Sequence, residues 1–226
     1  MRKITTEELK EILDKHRQWL IDHDDGERAN LSNVDLCNVN LYGVNLAYAN
    51  MQDADLRWVD LQCANLQYAN LRNADLHHAD LEYANLYCAD LRGSDFRDAN
   101  LQCANLNSSD LRCANLRYAD LRGTDLRDAN LYGNDLRCVY RPWLVIAEHI
   151  GSRCSETLYF ADYDNVQCGC WNDRRGGTLD EFREYINETY PIERYGLQYR
   201  CEYLGAIKMF ELLREAYLEQ CHKGEE

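Results

Sequence analysis

Leucine returns at every fifth residue through the central half of this 226-residue chain. The leucine column runs from Leu31 to Leu136 in 22 units, and only Met51 and Phe96 depart from it. Each unit consists of a small residue, Asp or Asn, Leu and two variable residues, without insertion from Ala29 to Cys138. An α-helix repeats every 3.6 residues and a strand every two, so neither keeps these leucines on one buried face. The spacing predicts a regular solenoid built from five-residue units.

This unit resembles the A(D/N)LXX motif of the pentapeptide-repeat family, and the resemblance covers residues 29–138. It implies a mainly β fold, a right-handed quadrilateral parallel β-helix in which each unit forms one side of a square coil. The small residue and Leu then point inward, while the Asp or Asn and both variable residues point outward and are exposed. Four units per coil give about 5.5 coils and a rod of about 26 Å at the usual strand spacing.

Three polar residues occupy the small-residue column inside the predicted solenoid, namely Ser94, Ser109 and Thr124. We expect them to be buried hydroxyls, each within reach of a nearby carbonyl. Asn134 in the same column marks the end of the regular pattern.

The flanking segments divide the chain into a capping region, 1–28, the repeat, 29–138, and a C-terminal region, 139–226. Residues 5–22 predict a helix that covers the first coil, because Thr5 and Glu8 form a capping box. Gly26 allows the chain to turn into the repeat. The apolar stripe of this helix consists of Leu9, Ile12, Leu13, Trp19 and Leu20.

The C-terminal region predicts a small α+β domain. Thr157–Tyr163 and Val166–Trp171 are expected to form a hairpin joined at Asp164 and Asn165. A first helix follows from residue 178 and ends before Pro191. The stripe of a second, longer helix consists of Cys201, Leu204, Ile207, Phe210, Leu213 and Tyr217.

Parts of this region resemble a small module that accompanies bacterial and phage pentapeptide-repeat proteins. The resemblance rests on Ile150–Arg153, Gln167–Trp171 and Gly177–Phe182. It implies no activity.

Charge and cysteine content exclude several functional classes. The net charge of −14 argues against direct binding of nucleic acid or an anionic membrane, since both require a basic surface. Eleven cysteines, without a signal sequence, predict reduced thiols and a cytoplasmic protein.

Two groups of residues could carry metal chemistry. Cys154, Cys168, Cys170 and Cys201 supply four thiolates, but one residue between Cys168 and Cys170 is a poor spacing for zinc. We expect these cysteines to be small core residues, and the adjacent His77 and His78 to be exposed turn residues. Because no catalytic grouping or phosphate loop is present, the sequence predicts neither an enzyme nor a cofactor.

The outside of the predicted coil is asymmetric, because residues 20 apart stack on one face. The faces begun by units 29–33 and 34–38 carry most of the arginines, whereas the other two are nearly neutral between Asn40 and Ser108. A neutral surface with aromatic rings is typical of protein-binding surfaces. We therefore hypothesise that this surface binds a protein partner of unknown identity, a second copy of the chain or the chain's own C-terminal domain. The candidate binding residues on this surface are Tyr42, Tyr48, Trp58, Tyr68, Tyr83 and Tyr87. Tyrosines that only brace the turn are the alternative.

A second functional hypothesis comes from the family resemblance. Some members protect or inhibit DNA gyrase by imitating duplex DNA, which would carry about 15 charges over 26 Å. Residues 29–138 hold 15 acidic and 9 basic side chains, a net charge of −6. Seven arginines follow an Asp by two residues, which predicts local neutralisation and disfavours a DNA mimic.

Overall fold

The computed structural model describes two compact units, Met1–Arg141 and Pro142–Glu226. The residues that it describes are 1–131, 133–134, 144–150, 155–160, 165–168, 177–189, 206–208, 210–215 and 218.

The repeat forms a parallel β-helix with twenty residues per coil. Each Asp or Asn pairs in parallel with the residue twenty positions later, from Asn30 with Asn50 to Asp110 with Asn130. Twenty residues contain four units, so each unit makes one side of the coil. The predicted solenoid and its register are therefore confirmed over the described repeat, and the total of about 5.5 coils stays a prediction.

In the inner units, from 49–53 to 104–108, all five backbone N–H groups find an acceptor by a fixed rule. The N–H of the small residue donates to the carbonyl oxygen of the preceding Leu. The N–H of the Asp or Asn donates to a carbonyl oxygen of the previous coil. The N–H groups of the Leu and of the second variable residue donate to carbonyl oxygens of the next coil. The first variable residue donates to the Oδ1 atom of its own unit's Asp or Asn. In unit 84–88 the acceptors, in order, are Leu81 O, Ala64 O, Asn105 O, Asn85 Oδ1 and Asn107 O, at 2.9, 2.9, 2.7, 3.2 and 3.0 Å.

This donor rule corrects the prediction that the Asp/Asn column is simply exposed. Most of these side chains are half-buried, and Asp55 is only 5% exposed. They fold back over the turn because each Oδ1 accepts a backbone N–H two residues ahead, the geometry of an Asx turn. Asn30, Asn40 and Asn45, at the start of the repeat, are the exposed members.

The second variable residue turns each corner in the left-handed region. The non-glycine residues there have φ from 54° at Asn73 to 65° at Tyr48, and Gly43, Gly93 and Gly123 share the conformation. This conformation costs roughly 1–2 kcal/mol for a non-glycine residue. The hydrogen bonds on either side of the corner offset that cost.

The core consists of the leucine column and the small-residue column. Leucine positions from Leu31 to Leu131 are at most 5% exposed, and Phe96 is fully buried. Val39 and Val44 in the first coil remain half-buried. Leu136 lies outside the described residues.

The buried hydroxyls are satisfied as predicted. Ser94 donates to Leu91 O at 2.5 Å, and Ser109 donates to Leu106 O at 2.7 Å. Thr124 instead reaches the previous coil, at Leu101 O.

A short strand and a helix cover the N-terminal end of the β-helix. Strand β1, Arg2–Lys3, pairs in parallel with β2, Val34–Asp35, so backbone at the end of the rod gains partners that the sequence did not predict. Helix α1, Thr6–Ile21, begins with the predicted capping box of Thr5 and Glu8.

The apolar stripe of α1 contains a histidine that sequence reasoning missed. Leu9 and His16 are buried, while Ile12, Leu13, Trp19 and Leu20 are half-buried. His16 Nδ1 accepts the N–H of Ala29, which ties the helix to the first unit of the repeat.

Gly26 is required where the chain leaves α1. Its φ is 79°, and a Cβ atom there would lie 2.3 Å from the carbonyl oxygen of Lys15. The predicted turn therefore has a steric cause.

The second unit contains a three-stranded antiparallel sheet and helical residues. Strands β3, Leu144–Ile150, β4, Ser155–Phe160, and β5, Asn165–Cys168, follow one another in the sheet. The predicted hairpin overlaps β4 and β5, but β4 begins two residues before Thr157, and Asn165, which was predicted in the turn, begins β5. Strand β3 was not predicted.

Helix α2, Leu179–Thr189, occupies the predicted first helix, with Thr178 and Glu181 forming its capping box. Helical residues 206–208, 210–215 and 218 lie in the predicted second helix. Cys201 and Leu204 are outside the described residues. Among the helices that the structure describes, none is long and apolar enough to cross a bilayer.

Candidate functional site

The surface of the coil divides into two halves. We call the two adjacent sides that begin with units 39–43 and 44–48 the tyrosine face. The arginine face is formed by the two sides that begin with units 29–33 and 34–38.

Two of the candidate tyrosines are the most exposed of the set. Tyr42 and Tyr83, on one side of the tyrosine face, are 61% and 60% exposed. Cys63 and Cys103 occupy the corner positions one coil below and above Tyr83. The aromatic rings on this side therefore present most of their area to solvent.

On the adjacent side the tyrosines pack against one another. Tyr48 and Tyr68 stack with ring centroids 4.9 Å apart and planes at 8°. Tyr87 meets Tyr68 edge-on at 5.7 Å, and Trp19 of α1 meets Tyr48 at 6.2 Å. We call this row of packed rings the tyrosine ladder; it connects three successive coils and helix α1. The alternative that the tyrosines only brace the turns therefore fits Tyr48, Tyr68 and Tyr87 better than it fits the more exposed Tyr42 and Tyr83.

Trp58 lies apart from these tyrosines, at the corner of the arginine face. Its ring stacks on His78 of the next coil, with centroids 3.9 Å apart. The structure therefore brings the five tyrosines onto one half of the surface and places Trp58 in a different cluster.

The tyrosine face is close to neutral at physiological pH. The neighbouring Cys63 thiol raises the pKa of Tyr42, and Cys103 raises the pKa of Tyr83, so both phenols keep their protons. Asp60 accepts a hydrogen bond from Asn40, and Asp80 accepts from Gln62 and Asn100. Polar amides thus bind the carboxylates of Asp60 and Asp80, while the Glu82 carboxylate, next to Tyr83 in the sequence, also raises the pKa of Tyr83.

Arginine pairs with Asp as the sequence predicted. Arg57 donates from Nε to Asp55 Oδ1 at 2.8 Å and from an Nη atom to Oδ2 at 2.6 Å. These hydrogen bonds lower the pKa of Asp55 below its ordinary value, so this nearly buried carboxylate stays ionised. The same two-point pairing joins Asp90 and Arg92, Asp95 and Arg97, Asp110 and Arg112, Asp120 and Arg122, and Asp125 and Arg127. Asp135 and Arg137 lie outside the described residues.

The family follows from a direct match to the repeat. The model of the family described as pentapeptide repeats matches residues 27–62, 60–98, 89–128 and 109–139. The chain belongs to the pentapeptide-repeat family. Its β-helix is the solenoid of this family, whose members are generally non-enzymatic structural scaffolds. No curated protein matches the chain.

Several solved pentapeptide-repeat structures are similar over about half of the chain. The protein Rfr23 from Cyanothece 51142 is 27% identical over 47% of this chain and 86% of its own, with a TM-score of 0.35. HetL of Nostoc, a protein involved in heterocyst differentiation regulation, is 36% identical over 50% and 54%, with a TM-score of 0.27. QnrB1, a plasmid-mediated fluoroquinolone resistance protein, is 21% identical over 51% and 82%, also with a TM-score of 0.27.

The structure also shows a cluster that sequence reasoning treated as exposed turn residues. His77 and His78 are half-buried, their rings stack at 4.1 Å, and His77 Nε2 lies 3.2 Å from Asp98 Oδ2. The twenty-residue coil places Asp98 directly above His78, so the sequence period indicates that these residues are neighbours but not that His77 contacts Asp98.

The cysteine predictions divide between the two units. Within the described residues, Cys37, Cys63, Cys88, Cys103 and Cys113 carry free thiols. Cys168 ends β5, but its side chain is not described, and Cys154, Cys170 and Cys201 lie outside the described residues. The zinc alternative for these four cysteines therefore stays untested.

Proposed function

We propose that the chain is a non-enzymatic protein-interaction scaffold that binds a protein partner through the tyrosine face. The observation that supports this most directly is the exposure of Tyr42 and Tyr83 on a nearly neutral surface. Aromatic rings give a large contact area at a small entropy cost, and charged residues are depleted at interface centres. A partner protein that covers these rings would release water without desolvating paired charges.

Within this proposal the five candidate tyrosines have two roles, and Trp58, which stacks on His78 at the arginine face, has neither. Tyr42 and Tyr83 supply the contact area. The ladder of Tyr48, Tyr68 and Tyr87 keeps the adjacent side rigid, which reduces the entropy lost on binding.

The DNA-mimic alternative meets an electrostatic obstacle. Each Arg–Asp pair places its two opposite charges within about 3 Å, so the pair adds little negative potential at the distance of a DNA-binding protein. The remaining net charge is well below the figure of about 15 for a duplex of the same length.

Substitution at matched tyrosines tests the interaction surface. Tyr83 and Tyr118 occupy equivalent corners with φ of 58° and 61°, and both are more than half exposed, but Tyr118 lies on the arginine face. Tyr42→Glu with Tyr83→Glu should weaken capture of the partner from lysate by about tenfold or more, whereas Tyr118→Glu should leave it unchanged. Equal capture by all three chains, with unchanged circular dichroism, would refute the proposal.

The gyrase alternative has a distinct readout. A DNA mimic should inhibit gyrase supercoiling in a salt-sensitive way, and Arg97→Glu with Arg117→Glu should strengthen the inhibition. Our proposal predicts no inhibition by the chain or by this variant. Inhibition that responds in this way, together with indifference to the Tyr42 and Tyr83 substitutions, would establish the alternative.

A further inference from the structure

We infer that His77, His78 and Asp98 form a surface site for a divalent cation of the zinc class. The ligand atoms of these three side chains all lie within 4.8 Å of one another. Two imidazole nitrogens and one carboxylate oxygen suit late first-row metals such as Zn²⁺ and Ni²⁺ rather than Mg²⁺ or Ca²⁺.

The coil geometry creates this set. His77 and His78 are consecutive at one corner of a coil, and Asp98 occupies the same corner one coil later. The column through this corner reads Trp58, His78, Asp98, Tyr118, so the carboxylate stands directly over a histidine.

The distances require only a modest contraction. Two ligands of one tetrahedral zinc ion are about 3.3 Å apart, given bonds of about 2.05 Å. His77 Nε2 and Asp98 Oδ2 already lie 3.2 Å apart, which matches the separation of two zinc ligands. The widest separation, at most 4.8 Å, must close by about 1.5 Å. Because the two imidazole planes are stacked at 20°, one ring must also turn before both nitrogens point at the same ion, and side chains that are partly exposed can make this rotation.

Neighbouring positive charges are neutralised. Arg97, adjacent to Asp98 in the chain, makes its 2.6 Å ion pair with Asp95. Arg57, one coil below His77, pairs with Asp55 and lies 3.7 Å from Asp75. A cation at the site therefore faces guanidinium groups that already hold carboxylates.

Three protein ligands leave at least one coordination position open. The bound cation would join two successive coils and offer a position to water or to a side chain of another protein. This site lies on the arginine face, so it is separate from the tyrosine face and does not depend on its role.

Trp58 provides an optical test, since its ring stacks on His78 at 3.9 Å. Ni²⁺ is added to the full chain after its cysteines have been alkylated with N-ethylmaleimide, which removes thiolate ligands. The Trp58 fluorescence is the part of the total emission that is absent in Trp58→Phe. We expect Ni²⁺ to quench this part of the emission. Zn²⁺ should then displace the Ni²⁺ and restore the Trp58 fluorescence.

Matched variants assign the ligands. Asp98→Asn and His78→Tyr should each weaken Ni²⁺ binding by about tenfold or more. Tyrosine suits that corner because Tyr118 occupies it two coils later. Asp128→Asn, an exposed corner with φ of 57°, should leave binding unchanged. Quenching that is absent, or that persists equally in Asp98→Asn and His78→Tyr, would overturn the inference.

Discussion

At the scale of the residue, the structure explains why the second position of every unit is Asp or Asn. In each unit from Asn30 to Asp125, the Oδ1 atom accepts the N–H of the first variable residue. In the inner units, from 49–53 to 104–108, the other four N–H groups have backbone acceptors, so this side chain completes the set. Sequence reasoning placed the column at the surface but missed the hydrogen bond, because a spacing rule says nothing of which way a surface side chain folds.

This role predicts different outcomes for two substitutions of Asn85. Its Oδ1 accepts from the Tyr87 N–H and from the Asn105 side chain, both at 3.2 Å. Asn85→Ala leaves the N–H without an acceptor and should lower the free energy of unfolding by about 1–2 kcal/mol. Asn85→Asp keeps the acceptor and should cost clearly less in urea denaturation. Equal losses would contradict the assigned role.

At the scale of the element, helix α1 depends on a buried histidine. His16 is fully buried, and its Nδ1 atom must be unprotonated to accept the Ala29 N–H. Burial lowers the pKa of His16 below its ordinary value of about 6.5, and the positive charge of Arg28 acts in the same direction. Protonation of this imidazole would remove the acceptor of the Ala29 N–H and should weaken the cap.

The pH dependence follows from that shift. The unfolded chain binds the His16 proton at a higher pH than the folded chain, so the stabilisation is complete above about pH 6.5 and declines as pH falls below it. We expect the melting temperature to fall more between pH 7.5 and 5.5 for the chain than for His16→Asn. Asparagine keeps an acceptor for Ala29 but does not titrate. Parallel pH profiles for the two chains would show that His16 does not control the cap.

The sequence predicted some structural elements correctly and missed others. The leucine spacing was sufficient for the solenoid, because a five-residue period is compatible with few other folds. Helix α1 was found from its capping box and stripe, yet His16 was missed because histidine does not count as apolar in a stripe. Strands β1 and β3 were both missed. Strand β1 has only two residues, which form a strand by pairing with the first coil, so no local sequence pattern indicates it.

At the scale of the whole molecule, one backbone rule produces two different surfaces. Every side of the inner coils follows the same hydrogen-bond rule, so the variable positions are free to carry paired charges on the arginine face and aromatic rings on the tyrosine face. The twenty-residue period is enough to assign side chains to faces from the sequence alone. Contacts within a face do not follow from that period, since the Tyr48–Tyr68 stack and the His77–Asp98 contact depend on rotamers.

The most direct test of the account is site-specific photocrosslinking. A benzoylphenylalanine side chain replaces Tyr83 in one chain and Tyr118 in another, two equivalent corners on opposite halves of the surface. We predict that irradiation in lysate gives a discrete adduct with a protein partner from position 83 and none from position 118. The adduct mass distinguishes a second copy of the chain from another protein. An adduct from position 118 alone, or no adduct from position 83, would contradict the claim that the tyrosine face is the binding surface.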